Sequence, residues 1–218
     1  MGLKINQINP EKTALLVVDM QNDFVAAGAP LGTAMGQEML PRLKQVLEFS
    51  RSKGISVIYT AHVHRRDGSD AGLFGEIYPP IAEGACLIDG TPGAEIYPEV
   101  APLENEPVIK KHRYSAFFGT DLDIILRGKG IETVVIVGLT TEDCCFAAAR
   151  DAMYRGYKVA FLSDVTGTYD YKDIGFGMVP AAEVHRVFLT VLGGSTAHVM
   201  TAEDFIQKVE DTVSVERV

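Results

Sequence analysis

Apolar residues come in this chain as short unbroken runs, not at alternating positions. Residues 13–18 (Thr-Ala-Leu-Leu-Val-Val), 55–62, 134–137 and 158–162 are the clearest. A run that is apolar at nearly every step is buried on both faces, the situation of a strand inside a parallel sheet. Between the runs the period changes. Leu40, Leu43, Val46, Leu47 and Ser50 share one face of a helix over residues 39–52, and Gly54 supplies its stop. Further helices are expected over 120–126, opening at Thr120 with Asp123 as a capping partner, from Cys144 to Tyr154, over 184–192 and over 202–210. Short strands are expected at 107–110 and 196–200. The alternation predicts one α/β domain over residues 1–218. Its three layers would enclose a mostly parallel, doubly wound sheet of about six strands with right-handed crossovers. Ligand sites in such sheets lie at the C-terminal ends of the strands.

The long stretch from 63 to 106 interrupts this regularity with Gly, Pro and charge. A connection of that length in a compact domain is functional or contains short helices. Composition narrows the partners. A net charge of −9 disfavours nucleic acid and anionic membrane surfaces. The 47% apolar and 22% charged content is that of a globular chain. Cys86, Cys144 and Cys145 make neither an even disulfide set nor a CxxC metal pair, which points to a reducing, cytoplasmic setting. No leader pattern or membrane-length apolar run is visible.

Cys144 is the most informative residue. It follows an apolar strand and a polar turn, Gly138-Leu139-Thr140-Thr141-Glu142-Asp143, and opens a helix whose positive end favours a thiolate. Asp19 ends the first strand, and Lys111 follows the short strand at 107–110. One sheet edge could gather all three: a nucleophile, a base and a cation, with backbone N–H groups near Thr140 and Cys144 as oxyanion donors. Taken singly, each has an ordinary reading as a packed thiol, a turn acid or a solvated lysine.

Three stretches taken together are similar to the isochorismatase-like cysteine hydrolases: Ala14 onward through Asp19-Met20-Gln21-Asn22-Asp23-Phe24, Lys111-His112-Arg113-Tyr114-Ser115-Ala116-Phe117, and Gly138 onward through Cys144. The resemblance implies Asp19 as general base, Lys111 as the middle member and Cys144 as nucleophile. It further implies a non-proline cis peptide between Leu139 and Thr140 and a pocket lined by Phe24. Tyr114, Phe117 and His185 are added as candidate substrate contacts, although His185, among Val184, Val187 and Phe188, reads more readily as a hydrogen-bonded core histidine. It also implies a homo-oligomer, dimer or tetramer. Metal-binding nicotinamidases of that superfamily carry an Asp and two His after the second strand. Here His62 stands where the Asp is expected and no second downstream His follows, so neither metal nor cofactor is expected.

The expected function is therefore cysteine-dependent cleavage of a C–N bond in a small linear amide or ureide of the carbamoyl, biuret or triuret type. Nicotinamidase-type deamidation, a catalytically silent interaction protein and a thiol redox sensor stand as alternatives. Vinyl ether hydrolysis is disfavoured by the cysteine. Cys145 is expected to face the core, Arg150 and Asp151 to pair behind the helix, and Tyr169 and Tyr171 to close a pocket of this or a neighbouring subunit.

Overall fold

The structure is a computed structural model, and it describes residues 2–215. Its sheet has six strands: β1 (Thr13–Val18), β2 (Ser56–His62), β3 (Val108–Lys111), β4 (Thr133–Leu139), β5 (Lys158–Gly167) and β6 (His198–Met200). All pairings are parallel, in the order β3-β2-β1-β4-β5-β6. Short helical turns α1 (Asn22–Val25) and α2 (Ala34–Glu38) precede α3 (Leu40–Ser52), and α4 (Phe74–Ile77) and α5 (Pro79–Ala82) lie in the long connection after β2. The remaining helices are α6 (Leu122–Gly128), α7 (Phe146–Tyr154), α8 (Ala181–Ser195) and α9 (Ala202–Val215).

Both faces of the sheet are covered, as the unbroken apolar runs require. Leu15, Val17, Val135 and Val137 join one apolar cluster with α3 and α9, while Leu16, Val18, Val134 and Ile136 join another with α6 and α7. The chain builds outward from β1 to β3 and then returns to place β4 on the other side of β1. That reversal opens a crevice between the ends of β1 and β4.

Two backbone features fit the strands around that crevice. Gly138 has φ +113°, and a Cβ there would sit 2.1 Å from the Val18 carbonyl oxygen, so only glycine lets β4 approach β1. The β4–β5 register shifts between Ile136 and Gly138, after which Gly138 faces Thr166 and Leu139 faces Gly167. This shift carries β5 five residues beyond the apolar run at 158–162 that marks it in the sequence.

Other boundaries move for local reasons. Lys111 belongs to β3 itself, where the register pairs it with His62. Helix α6 begins at Leu122, although Thr120 Oγ1 does accept the Leu122 N–H at 3.3 Å. Asp123 instead accepts from the Tyr157 hydroxyl at 2.7 Å. Helix α8 starts three residues early, at Ala181 directly after Pro180. Among the described residues no helix is long and apolar enough to cross a membrane.

Candidate active site

Asp19 is the first residue after β1. It takes φ +49°, a left-handed conformation that a non-glycine residue adopts only at a cost of roughly 1–3 kcal/mol, and so turns out of the strand direction. The Asp19 N–H reaches the Thr60 carbonyl at 3.3 Å, and the Thr60 hydroxyl donates to Asp19 Oδ1 at 2.6 Å. The other carboxylate oxygen, Oδ2, lies 2.7 Å from Lys111 Nζ, and both side chains are fully buried.

An ammonium has three N–H donors. Those of Lys111 meet Asp19 Oδ2, the Arg113 carbonyl at 3.0 Å and Cys144 Sγ at 3.2 Å. Burial alone would lower the pKa of this lysine, but Asp19 and Cys144 outweigh it and hold the ammonium charged. The Cys144 thiol goes the other way. Burial pushes its pKa well above the usual thiol value, Lys111 opposes this, and the nearby Asp19 carboxylate reinforces it by repelling the thiolate. Desolvation thus overrides the helix-end bias toward thiolate that the sequence suggests. Moreover, Cys144 does not sit in regular α-helix. It lies in a wide turn, Thr141–Cys145, in which the Cys145 N–H reaches back five residues to the Thr140 carbonyl at 3.0 Å, and α7 begins only at Phe146. The peptide between Leu139 and Thr140 is cis.

Above Cys144 lies a cavity with about 40 Å³ open to the centres of water-sized molecules. Phe24, Phe74, Tyr78, Tyr114 and Tyr169 form aromatic walls, and His62, Thr140 and Asp143 supply polar groups beside the thiol. His62 is held neutral by burial and by the nearby Lys111 charge, with its pKa well below the usual value. Burial, with Glu142 adding, raises Asp143 to about 6 against the pull of Tyr78 and Lys111.

Cys144, Thr140, Phe24 and Tyr114 line the cavity, and Lys111 and Asp19 lie beneath it against Cys144, but two expected contacts lie elsewhere. Phe117 does not line the cavity; it packs within the α6/α7 cluster, its ring 6.2 Å from Tyr157 and beneath the Arg155 guanidinium at 4.9 Å. His185 stands behind the cysteine turn, with Nδ1 2.8 Å from Thr141 Oγ1 and Nε2 donating to the Ser163 carbonyl at 2.8 Å. It braces the turn and does not line the cavity. Cys145 is buried in the α6/α7 cluster. Arg150 and Asp151 do not pair: Arg150 stacks over Phe146, while Asp151 bonds Ser115 and Arg155.

Tyr169 lines the cavity, and Tyr171 stacks behind it at 4.9 Å and donates to Glu142 at 3.0 Å. Thr60, Phe74, Tyr78 and Asp143 are contributors that sequence reasoning missed. Parallel pairing of β1 with β2 carries a signal for Thr60, since it places the polar end of β2 beside Asp19. Nothing in the loop sequence gives the directions of Phe74 and Tyr78.

The His residues after β2 also differ from expectation. His62 and His64 are two residues apart, a spacing that puts both side chains on one face of an extended segment, and their rings come within 5.0 Å. Asp70 lies 3.5 Å from His64 and 3.2 Å from His112. One ligand atom from each of His64, Asp70 and His112 falls within 4.8 Å of the others, a donor set that suits a small cation. None of the three lines the cavity above Cys144.

A doubly wound sheet that carries a buried Asp–Lys–Cys cluster at its switch point defines a hydrolase of the α/β class. Comparison with known proteins makes the class specific: the family model for the isochorismatase domain matches residues 13–204, and the chain belongs to the isochorismatase family. A solved cysteine hydrolase from Pseudomonas syringae pv. phaseolicola 1448A superposes with a TM-score of 0.93 at 34% identity, covering 97% of this chain and 98% of its own. A ureidoacrylate amidohydrolase of Rhizobium rhizogenes is 31% identical over 73% of this chain and 72% of its own length. An Arabidopsis thaliana protein named "Probable inactive nicotinamidase" is 36% identical over 71% of this chain and 80% of its own.

Proposed function

We propose that this isochorismatase-family hydrolase is a cysteine-dependent amidohydrolase that cleaves the C–N bond of a small linear amide or ureide through a thioester. The observation that carries the reading is the Lys111 ammonium, which touches both the Asp19 carboxylate and Cys144 Sγ at the floor of the cavity. A buried thiol with a raised pKa needs a base at the moment of attack, and a carboxylate oxygen of Asp19 lies within 4.8 Å of Cys144 Sγ.

In the first half-reaction Asp19 takes the thiol proton as Sγ bonds to the substrate carbonyl carbon. Lys111 stabilises the charge passed between the two, and the backbone N–H groups of Thr140 and Cys144 are the candidate donors for the oxyanion. The proton on Asp19 then moves to the leaving nitrogen, the C–N bond breaks, and ammonia or an amine departs. In the second half-reaction Asp19 takes a proton from water as its oxygen adds to the thioester carbonyl. The C–S bond then breaks, the proton returns to sulfur and the acid product leaves. The related ureidoacrylate amidohydrolase supports a linear ureide as substrate class.

A second reading, deamidation of an aromatic amide, draws on the aromatic walls and on an Arabidopsis thaliana relative named Nicotinamidase 3, 29% identical over 85% of this chain. It would use His64, Asp70 and His112 to hold a divalent cation that orients the substrate ring, yet none of them borders the cavity. Ammonia release from biuret, triuret, N-carbamoyl amino acids, ureidoacrylate and nicotinamide, measured with and without chelator and with Cys144→Ala as control, separates the two. The first reading expects Cys144-dependent turnover of a linear ureide that survives chelation; turnover of nicotinamide alone, lost on chelation, would replace it with the second.

A further inference from the structure

The residue immediately before the thiol plays no part in the chemistry above. Asp143 shares the wide turn with Cys144, and its side chain forms part of the cavity wall. Its contact with the Tyr78 hydroxyl is long, 3.5 Å, and that hydroxyl lies 2.9 Å from the Tyr114 hydroxyl. An ionised carboxylate has about four acceptor sites, so most of the capacity of Asp143 is open to whatever fills the cavity. Among the described residues that line the cavity, none is Lys or Arg. Lys111 lies beneath with all three donors already engaged by Asp19, Arg113 and Cys144.

These facts have a direction. A substrate carboxylate entering this space would meet a like charge in a poorly solvated setting and would find no cation to pair with. A terminal –C(O)NH2 group has the opposite character: it offers two N–H donors from one nitrogen, and its flat conjugated faces suit the aromatic walls. We propose that Asp143 selects the substrate, accepting N–H bonds from the end of a small ureide that bears no acid group and turning away carboxylate-bearing analogues. The substrate half of this inference rests on the amidohydrolase reading; the charge preference of the cavity does not.

Two measurements on the intact chain test it. The first compares kcat/KM for biuret with that for N-carbamoylglycine, which carries a carboxylate on an otherwise similar ureide. The unmodified protein should prefer biuret by at least ~10-fold, and Asp143→Asn should lower kcat/KM for biuret ~10- to 100-fold, chiefly through KM, the range expected for losing a hydrogen bond to a charged group. The second measures alkylation of Cys144 by iodoacetamide and by iodoacetate, read by peptide mass spectrometry and normalised to glutathione. The neutral amide should be favoured by roughly tenfold or more, and the ratio should fall toward that of glutathione in Asp143→Asn, one such factor being the scale of a single like-charge encounter.

Thermal melts check folding, and Asp143→Ser repeats both measurements if the Asn variant folds poorly. An alkylation ratio unchanged by removing the carboxylate, or a native preference for N-carbamoylglycine, overturns the assignment. Absence of Cys144-dependent turnover on every ureide would sink the amidohydrolase reading, while the alkylation ratio would still decide the role of Asp143.

Discussion

Lys111 Nζ stands 2.7 Å from Asp19 Oδ2, and neither side chain reaches solvent. Each is the other's counter-ion, so removing one strands a charge. Lys111→Met and Asp19→Asn should each abolish turnover and lower stability by roughly 3–5 kcal/mol, whereas the double variant should lose clearly less than the sum. Urea unfolding of the four proteins closes this cycle; additive losses would mean that the pair does not interact as the geometry indicates.

Thr60 holds the same carboxylate from the other side. Thr60→Val keeps the shape of the side chain but removes the hydroxyl that donates to Asp19 Oδ1 at 2.6 Å. A loss of about 1.5–3 kcal/mol is expected, together with reduced kcat, because a buried carboxylate oxygen is left unpaired. Unaltered melting and kinetics in that variant would show that Asp19 is positioned by its backbone alone.

The Asp143 carboxyl gives the protein a pH-dependent weakness. Its pKa rises from 3.8 to about 6 on folding through burial and the neighbouring Glu142, against the influence of Tyr78 and Lys111; Tyr114 and Tyr169 also face this space. The folded chain therefore holds this proton more tightly than the unfolded one. The associated stabilisation is complete below the unfolded pKa and is lost as pH rises through the folded one. Asp143→Asn should accordingly melt higher than the parent at pH 7–8, by ~1–2 kcal/mol after allowance for solvent screening, with the gap closing near pH 4. A gap that stays constant across that range would refute the burial argument.

Gly138 should tolerate no side chain. Its φ of +113° and the 2.1 Å that would separate an added Cβ from the Val18 carbonyl oxygen mean that Gly138→Ala must push β1 away from β4, beneath both Asp19 and Cys144. A loss above about 3 kcal/mol is expected, within the range of severe backbone substitutions. A well-folded alanine variant with native activity would contradict the close approach.

The strands are legible because burial on both faces leaves a plain sequence mark, as at Leu15-Leu16-Val17-Val18. The ends of strands are less so. The extension of β5 to Gly167 includes an irregularity in which β5 advances from Phe161 to Thr166 while β4 advances only from Ile136 to Gly138, which no local pattern records. Asp19, Lys111 and Cys144 can be picked out because each follows or ends a strand and together they match a family pattern. Phe117 is misplaced by sequence reasoning because an aromatic residue in a turn gives no sign of which sheet face it will cover, and it goes to Tyr157 and Arg155. The protonation tendency of Cys144 is misjudged for a related reason: helix position can be read locally, but complete desolvation comes from segments far apart in sequence.

The floor of the cavity and its upper walls have different origins. Asp19, Lys111 and Cys144 are fixed by strand ends in one sheet, whereas Phe74, Tyr78 and Leu87 come from the irregular connection between β2 and β3. Loops accept insertion and exchange far more readily than strand termini do. With the cluster acting as proposed, a descendant of this chain could therefore change its diet by rewriting that connection while inheriting Asp19, Lys111 and Cys144 intact, and a graft of the connection alone is the shortest route by which an engineer could ask it to do the same.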